Sequence, residues 1–131
     1  MSHIADVMRT GEDNPVAEED TCVRDLLEIM DEKKLGAVCI VDEDKLVGIV
    51  TDGDLRRLIL RTQDTLAELF MRSAKKIMNR GPKTISPDTT LQECLKLLTK
   101  NRFWVIPVAD DQKRLLGMVH MQDLLHATLV D

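Results

Sequence analysis

Aromatic residues are scarce in this chain: it has one tryptophan, two phenylalanines and no tyrosine among 131 residues. It therefore lacks the rings on which single-stranded nucleic acids stack. A basic field is missing as well, because 23 acidic residues outnumber 18 lysines and arginines and leave a net charge of -5. A chain of that charge does not attract a phosphate backbone. We expect no nucleic-acid partner.

Long apolar runs and a cysteine framework are also missing. No run approaches the roughly 20 residues that cross a bilayer, and the N-terminal MSHIADVMRTGED lacks the apolar core of a signal peptide. Cys22, Cys39 and Cys94 are odd in number, far apart and set within apolar segments, unlike a disulfide framework or a zinc site. His120 and His126 do not have the i, i+4 spacing of two ligands on one helical face. We expect a cytoplasmic protein with reduced core thiols, no metal and no membrane partner.

What the sequence does contain is an internal repeat. DTCVRDLL at residues 20–27 aligns with DTTLQECL at residues 88–95, and KLVGIV at 45–50 aligns with RLLGMV at 114–119. Met8 and Met78 mark the start of each copy. A unit of about 55 residues is marginal alone, so we expect the two copies to form one module. The predicted boundaries are residues 1–63 for the first repeat, 64–73 for a linking helix and 74–131 for the second repeat.

The apolar spacing within each copy predicts an α+β fold built of two β-α-β-β-α repeats. In the first copy, Val23, Leu26 and Met30 follow a helical period, and Asp20 or Thr21 is the expected cap of that helix. The other predicted elements of this copy are strands at 15–17, 37–41 and 46–50 and a second helix that starts near residue 53. In the second copy they are strands at 83–85, 103–109 and 115–119 and helices at 91–100 and 122–128. Each helix needs a sheet to cover its apolar face, so we expect the repeats to pack sheet to sheet with pseudo-two-fold symmetry.

The stretch GIVTDGDLRR, residues 48–57, carries the most distinctive polar chemistry. A strand ending before Thr51 delivers its hydroxyl to the first turn of a helix, where free N–H groups and the helix dipole favour a phosphate. The two carboxylate oxygens of Asp54 suit the two hydroxyls of a ribose. Arg56 and Arg57 lie about 100° apart on the helix, so one of them can lean toward the phosphate. The same threonine and aspartates are also favourable helix caps without any ligand.

The second copy carries a diverged form of this stretch, GMVHMQDLLH, at residues 117–126. Asp123 keeps the carboxylate, whereas His120 replaces the hydroxyl. An imidazole can donate to a sugar or a phosphate and changes charge near pH 6.5. The alternative is that His120 is a polar residue at a strand end with no ligand.

The repeat and its two motifs together resemble the paired cystathionine-β-synthase-type (CBS) domain, or Bateman module. That family's most recognisable string is a glycine, two apolar residues, a threonine or serine, two variable residues and an aspartate. Residues 48–54 match it fully, and residues 117–123 match it except at His120. The resemblance implies a nucleotide-binding module without catalytic residues. It also implies ligand contacts from the first and second strands, near Val16, Ala37, Thr84 and Ile106.

TDGDLRR and GMVHMQDLL are moreover similar to the regulatory pair of arabinose-5-phosphate isomerases, the sugar-isomerase (KpsF-type) family of Kdo and lipopolysaccharide synthesis. The isomerase domain itself is not in this sequence. The resemblance implies a module that is no enzyme by itself and requires no cofactor. It would sense an adenine nucleotide or the activated sugar CMP-Kdo, regulate an attached or partner isomerase domain, and form a homodimer.

Two other functions stay open at this point. Asp52 and Asp54 follow an apolar strand as the Asp-x-Asp of haloacid-dehalogenase-type phosphatases does, but Met121 replaces the first aspartate in the second copy. The second possibility is a ligand-free oligomerisation module, for which methionines near the element ends would supply adaptable contacts.

Overall fold

The computed structural model describes residues 2–130 and divides into two compact units. The first unit is Pro15–Pro82, and the second joins the N-terminal residues up to Asn14 to the chain from Lys83 onward. The first repeat's N-terminal segment thus belongs to the unit that contains the second repeat. None of the helices in residues 2–130 is long and apolar enough to cross a membrane.

The first unit is a four-stranded sheet with helices packed on it. Its strands are β1 (Val16–Glu18), β2 (Ala37–Asp42), β3 (Lys45–Thr51) and β4 (Asn79–Arg80), and its helices are α1 (Val23–Lys33), α2 (Asp52–Arg61), α3 (Leu66–Phe70) and α4 (Ala74–Ile77). The strand order is β1-β2-β3-β4, with β1 parallel to β2 and the other pairs antiparallel. The predicted edge strand, hairpin and helices of the first copy are therefore confirmed, and a short helix lies within the predicted linking segment.

The cap predicted for α1 is wrong. The N-cap residue is Cys22, and its side chain makes no capping hydrogen bond. The hydroxyl of Thr21 instead accepts a bond from the N–H of Glu18 at 3.2 Å. The start of α1 is held by backbone pairing, because the N–H of Val23 donates to the carbonyl of Arg72 at 2.9 Å. A tertiary contact thus replaces the side-chain cap.

The second unit is a two-stranded hairpin covered by two helices. Its elements are α5 (Leu91–Asn101), β5 (Val105–Ala109), β6 (Leu115–His120) and α6 (Met121–Val130). The strands β5 and β6 are antiparallel. These four elements confirm the predicted helices and hairpin of the second copy.

The strand predicted at residues 83–85 is not formed, and only Ile85 makes an isolated parallel bridge, with Val108. A proline explains the difference. In the first copy the N–H of Cys39 donates to the carbonyl of Pro15 at 3.0 Å and ties the edge strand to β2. The residue aligned with Cys39 is Pro107, which has no N–H to donate. The edge therefore keeps only the bonds that Ile85 makes.

Each unit has its own buried apolar cluster. In the first unit, side chains from the sheet meet α1 and α2 at the fully buried Leu26, Ile40 and Val50. In the second, the hairpin meets α5 and α6 around the fully buried Leu98 and Ile106. These clusters fix the end of each hairpin against the helix that follows it, which is where the two motifs lie.

Candidate functional site

The first motif forms a capping box at the start of α2. The hydroxyl of Thr51 accepts a bond from the N–H of Asp54 at 3.1 Å, and the Asp54 carboxylate accepts one from the N–H of Thr51, also at 3.1 Å. The reciprocal pair satisfies two backbone donors at the helix start. It also fixes the side chain of Asp54 at the junction of strand and helix.

The carboxylate of Asp54 has two further partners. Its Oδ1 accepts a bond from the guanidinium of Arg57 at 2.6 Å, and its Oδ2 accepts one from the amide of Asn79 at 2.7 Å. Asn79 reaches it because β4 pairs with β3 beside the motif. Asp54 is still 21% exposed, so the network lies at the surface and is open to a ligand.

Asn79 is a candidate site residue that the sequence reasoning missed. The repeat contains the signal that could have found it: Asn79 follows Met78 as Arg9 follows Met8. In the second unit, Arg9 donates to the motif aspartate Asp123 at 2.9 Å. In each unit, the residue after the marking methionine thus contacts the motif aspartate.

A cavity of about 340 Å³ adjoins Asp54 in the first unit. It lies against α2 and α4, with Leu55, Leu58 and Ile77 as its apolar wall. Its polar and charged lining is Asp54, Arg57, Arg61, Arg72, Lys76 and Asn79. Four cations and one carboxylate thus surround a space within the size range of small-molecule sites.

Two other charged residues of the motif, Asp52 and Arg56, do not line this cavity. Arg57 lines it, whereas Arg56 does not. The carboxylate of Asp52 lies close to Gly36, where a Cβ would come within 2.7 Å of its Oδ2. Since Asp52 and Asp54 do not face one cavity, the geometry does not support an Asp-x-Asp phosphatase centre.

The second motif builds a similar junction at the start of α6. The imidazole Nδ1 of His120 accepts a bond from the N–H of Gln122 at 3.0 Å. Asp123 forms its ion pair with Arg9, and both side chains are about one-third exposed. A cavity of about 530 Å³ adjoins this pair, and Asp13 and His126 also line it.

The four residues predicted from the first and second strands do not line either cavity. Val16 on β1 and Thr84 are exposed, whereas Ala37 and Ile106 are completely buried. Ala37 is the β2 partner of Thr51 in the ladder, so its backbone lies beside the first motif. The structure thus gathers Thr51, Asp54 and Arg57 in the first unit and His120 with Asp123 in the second.

Burial lowers the pKa of His120, the Asp123 carboxylate opposes this shift, and Arg9 adds to it. As the pH falls, His120 therefore becomes protonated at a higher pH in the unfolded chain than in the folded protein. The contribution of neutral His120 to the free energy of unfolding is complete above about pH 6.5. It is lost as the pH falls through the folded-state pKa, where protonation also ends the bond from Gln122.

We expect the melting temperature of His120→Asn to depend less on pH than that of the wild type between pH 8 and 5. His126→Asn is the control, and parallel curves for wild type and His120→Asn would contradict the assignment.

Two of the three cysteines, Cys39 and Cys94, are buried and offer no nucleophile to the candidate site. Burial raises the pKa of Cys39 to about 12 and that of Cys94 to about 11. Both thiols therefore stay protonated at neutral pH, and the thiolate is the reactive form. Within residues 2–130 there is also no group of three or more His, Cys, Asp or Glu side chains placed to hold a metal ion.

Two hairpins, each followed by a helix whose first turn carries an aspartate, define a tandem-repeat module. The model of the CBS domain matches this chain twice, at residues 4–61 and 74–129. The chain belongs to the CBS domain family. As a CBS pair it is a regulatory module and not an enzyme by itself.

The similar proteins include isomerases and a nucleotide complex. Arabinose 5-phosphate isomerase KdsD of Yersinia pestis is 35% identical over 97% of this chain and 38% of that protein. An uncharacterized protein of Rickettsia prowazekii is 36% identical over 95% of this chain and 37% of that protein. The chain thus spans well under half the length of these curated relatives. The crystal structure of CBSX2, a CBS-pair protein of Arabidopsis thaliana, in complex with AMP aligns with a TM-score of 0.86 and 27% identity, over 99% of this chain and 98% of that chain.

Proposed function

We propose that this chain is a nucleotide-sensing regulatory module that acts on a sugar-phosphate isomerase domain. The observation that carries the proposal is the carboxylate of Asp54, which the capping box holds at the edge of a cavity lined by four cations. A carboxylate beside clustered cations matches a ribose joined to a phosphate, since a ribose offers hydroxyl donors and a phosphate offers negative charge.

The hydrogen bonds of Asp54 indicate how a ligand would enter. An ionised carboxylate has about four acceptor positions, and Thr51, Arg57 and Asn79 occupy three of them. A ribose hydroxyl takes the free position, and a second hydroxyl displaces the half-exposed guanidinium of Arg57. Arg57 is then available to pair with the phosphate of the same ligand. Binding thereby exchanges an internal ion pair for contacts to the nucleotide.

Two ligand classes fit this proposal. An adenine nucleotide is supported by the likeness to the AMP complex of CBSX2. CMP-Kdo is supported by the likeness to KdsD, because a product of the same pathway would act as a feedback signal. In either case, a ligand that alters the isomerase must bind more tightly to one conformational state of the protein than to the other. The effect of the ligand on substrate affinity then equals the effect of the substrate on ligand affinity.

A thermal-shift panel with AMP, ADP, ATP, S-adenosylmethionine and CMP-Kdo tests the proposed function. A ligand present at 100 times its dissociation constant adds about 2.7 kcal/mol to the free energy of unfolding. We expect a clear rise in melting temperature with at least one nucleotide and none with free ribose 5-phosphate at equal concentration. Calorimetric titration of any ligand that gives a shift then determines its affinity. Absence of a shift with every ligand would contradict nucleotide sensing.

The second candidate function is oligomerisation without a small ligand, and exposed apolar side chains favour it. Leu60 on α2 is 78% exposed and Leu129 on α6 is 86% exposed. Ile59 beside Leu60, and Leu125 one turn before Leu129, are also exposed, and contiguous exposed apolar side chains are typical of surfaces that bind a partner. We propose a homodimer in which α2 and α6 take part. A chain that sediments as a dimer but gives no shift in the panel would favour this function.

A further inference from the structure

The two cavities differ in charge although they adjoin equivalent motifs. The first is lined by Arg57, Arg61, Arg72 and Lys76 and by a single carboxylate. The second is lined by two carboxylates, and Arg9 is the one lysine or arginine among the described residues around it. The first cavity is therefore cationic within a chain of net charge -5, and the second is not.

Part of the positive charge in the first cavity has no internal partner. Arg57 pairs with Asp54, and Arg72 pairs with Asp64. Arg61 and Lys76 form no ion pair within residues 2–130. Arg57 and Arg61 are also four residues apart on α2, a spacing at which like charges destabilise a helix. An anion bound between them would remove this repulsion.

The cations extend away from the carboxylate along α2. Arg57 lies one turn beyond Asp54 and Arg61 lies two turns beyond it. Seven residues at 1.5 Å each place Arg61 about 10 Å from Asp54 along the helix axis. With the ribose at Asp54, a chain of two or three phosphates passes Arg57 and reaches Arg61, whereas a single phosphate reaches Arg57 only. The second cation without a partner, Lys76, lines the same space from α4.

The charges of the second cavity favour a different ligand. Its one arginine, Arg9, is already paired with Asp123 at 2.9 Å. Asp13 adds a second carboxylate that lines the space and forms no ion pair in the described part of the chain. A phosphate there would meet an uncompensated negative charge. A ligand that is uncharged or positively charged would not be repelled by this carboxylate.

We propose that the two cavities select ligands by charge. The Asp54 cavity favours nucleotides that carry negative charge beyond the first phosphate, a nucleoside di- or triphosphate above all, whereas the Asp123 cavity takes a nucleoside that carries no net negative charge. This inference rests on the proposed nucleotide-binding function and adds to it a separate ligand class for each repeat.

Calorimetric titration with ADP, AMP, adenosine and S-adenosylmethionine tests the proposal on the full chain. We expect ADP to bind more tightly than AMP and AMP more tightly than adenosine at the first cavity. The double variant Arg61→Gln/Lys76→Gln should weaken ADP at least tenfold and leave S-adenosylmethionine unchanged. The control is Lys45→Gln/Lys75→Gln, which removes two charges from residues that line neither of these two cavities.

The second cavity is tested by Asp13→Asn, which should weaken the cationic S-adenosylmethionine and leave ADP unchanged. ADP and S-adenosylmethionine should also bind together, one of each per chain. Competition between them for a single site would overturn the proposal, as would ADP binding to Arg61→Gln/Lys76→Gln as tightly as to the control. Neither of those results affects the proposed function, which fails only if none of these ligands, nor any other in the panel, binds.

Discussion

Replacing Asp54 with asparagine should weaken nucleotide binding by about 10- to 100-fold. The carboxylate accepts three hydrogen bonds in the structure and is the group proposed to hold the ribose. Hydrogen bonds to a charged group contribute about 1.5–3 kcal/mol, and each 1.4 kcal/mol is a factor of ten in affinity. The measurement is calorimetric titration of the nucleotide that gives the largest shift with the wild-type protein.

This variant also weakens the capping box of α2, so a control must separate stability from binding. Asp110 is well matched, because its carboxylate likewise accepts backbone N–H bonds, from Gln112 and Arg114, and pairs with the Arg114 guanidinium at 2.8 Å. It lines neither cavity. Asp110→Asn should lower the melting temperature slightly and leave nucleotide affinity unchanged. Equal affinities for Asp54→Asn and wild type would show that Asp54 has only a capping role.

The largest effect on stability is expected from Gly117→Ala, at about 3 kcal/mol, the upper end of the usual cost of overpacking. A Cβ at Gly117 would lie 2.5 Å from the carbonyl oxygen of Arg9 and 3.0 Å from the sulfur of Met8. The carbonyl belongs to the backbone bridge between Arg9 and Met118, whose two bonds measure 2.8 and 3.1 Å. The added methyl group must break this bridge or move β6. At about 3 °C per kcal/mol the melting temperature falls by roughly 10 °C.

Two other glycines provide graded comparisons in the same thermal denaturation experiment. At Gly48 the closest atoms to a Cβ, at 2.4 and 2.8 Å, belong to the flexible side chain of Met78, so Gly48→Ala should cost less than Gly117→Ala. At Gly53 the nearest atom lies 3.5 Å away, an ordinary contact. Gly53→Ala should be neutral or slightly stabilising, because alanine favours a helix over glycine. A Gly117→Ala protein as stable as Gly53→Ala would contradict the role assigned to the bridge.

Much of the fold could be predicted from the sequence because the repeat presents each pattern twice. Short continuous apolar runs joined by charged turns located both hairpins, and helical spacing located the helices that flank them. Thr51 followed three residues later by Asp54 is a local signal for a helix start, and the structure places both in a capping box there. Such features depend on neighbours within a few positions, so local chemistry is enough to predict them.

Other features depended on contacts between distant segments. The start of α1 is tied by the backbone of Arg72, so the expected cap at Asp20 or Thr21 was not needed. Pro107 has no backbone N–H to donate to the segment at residues 83–85. This loss matters only because the fold places that segment beside β5. No pattern within a few residues of either position reports these pairings.

The sequence by itself determined that this protein is a tandem CBS pair, where its two motifs lie, and that its net charge is negative. Only the tertiary structure placed Asn79 and Arg9 on the motif aspartates and brought Lys76 to the same cavity as Arg57 and Arg61. The physical reason is the range of the interactions. Helix periods and caps act over three or four residues, whereas the charge of a cavity is set by side chains that meet only after strands and helices have packed.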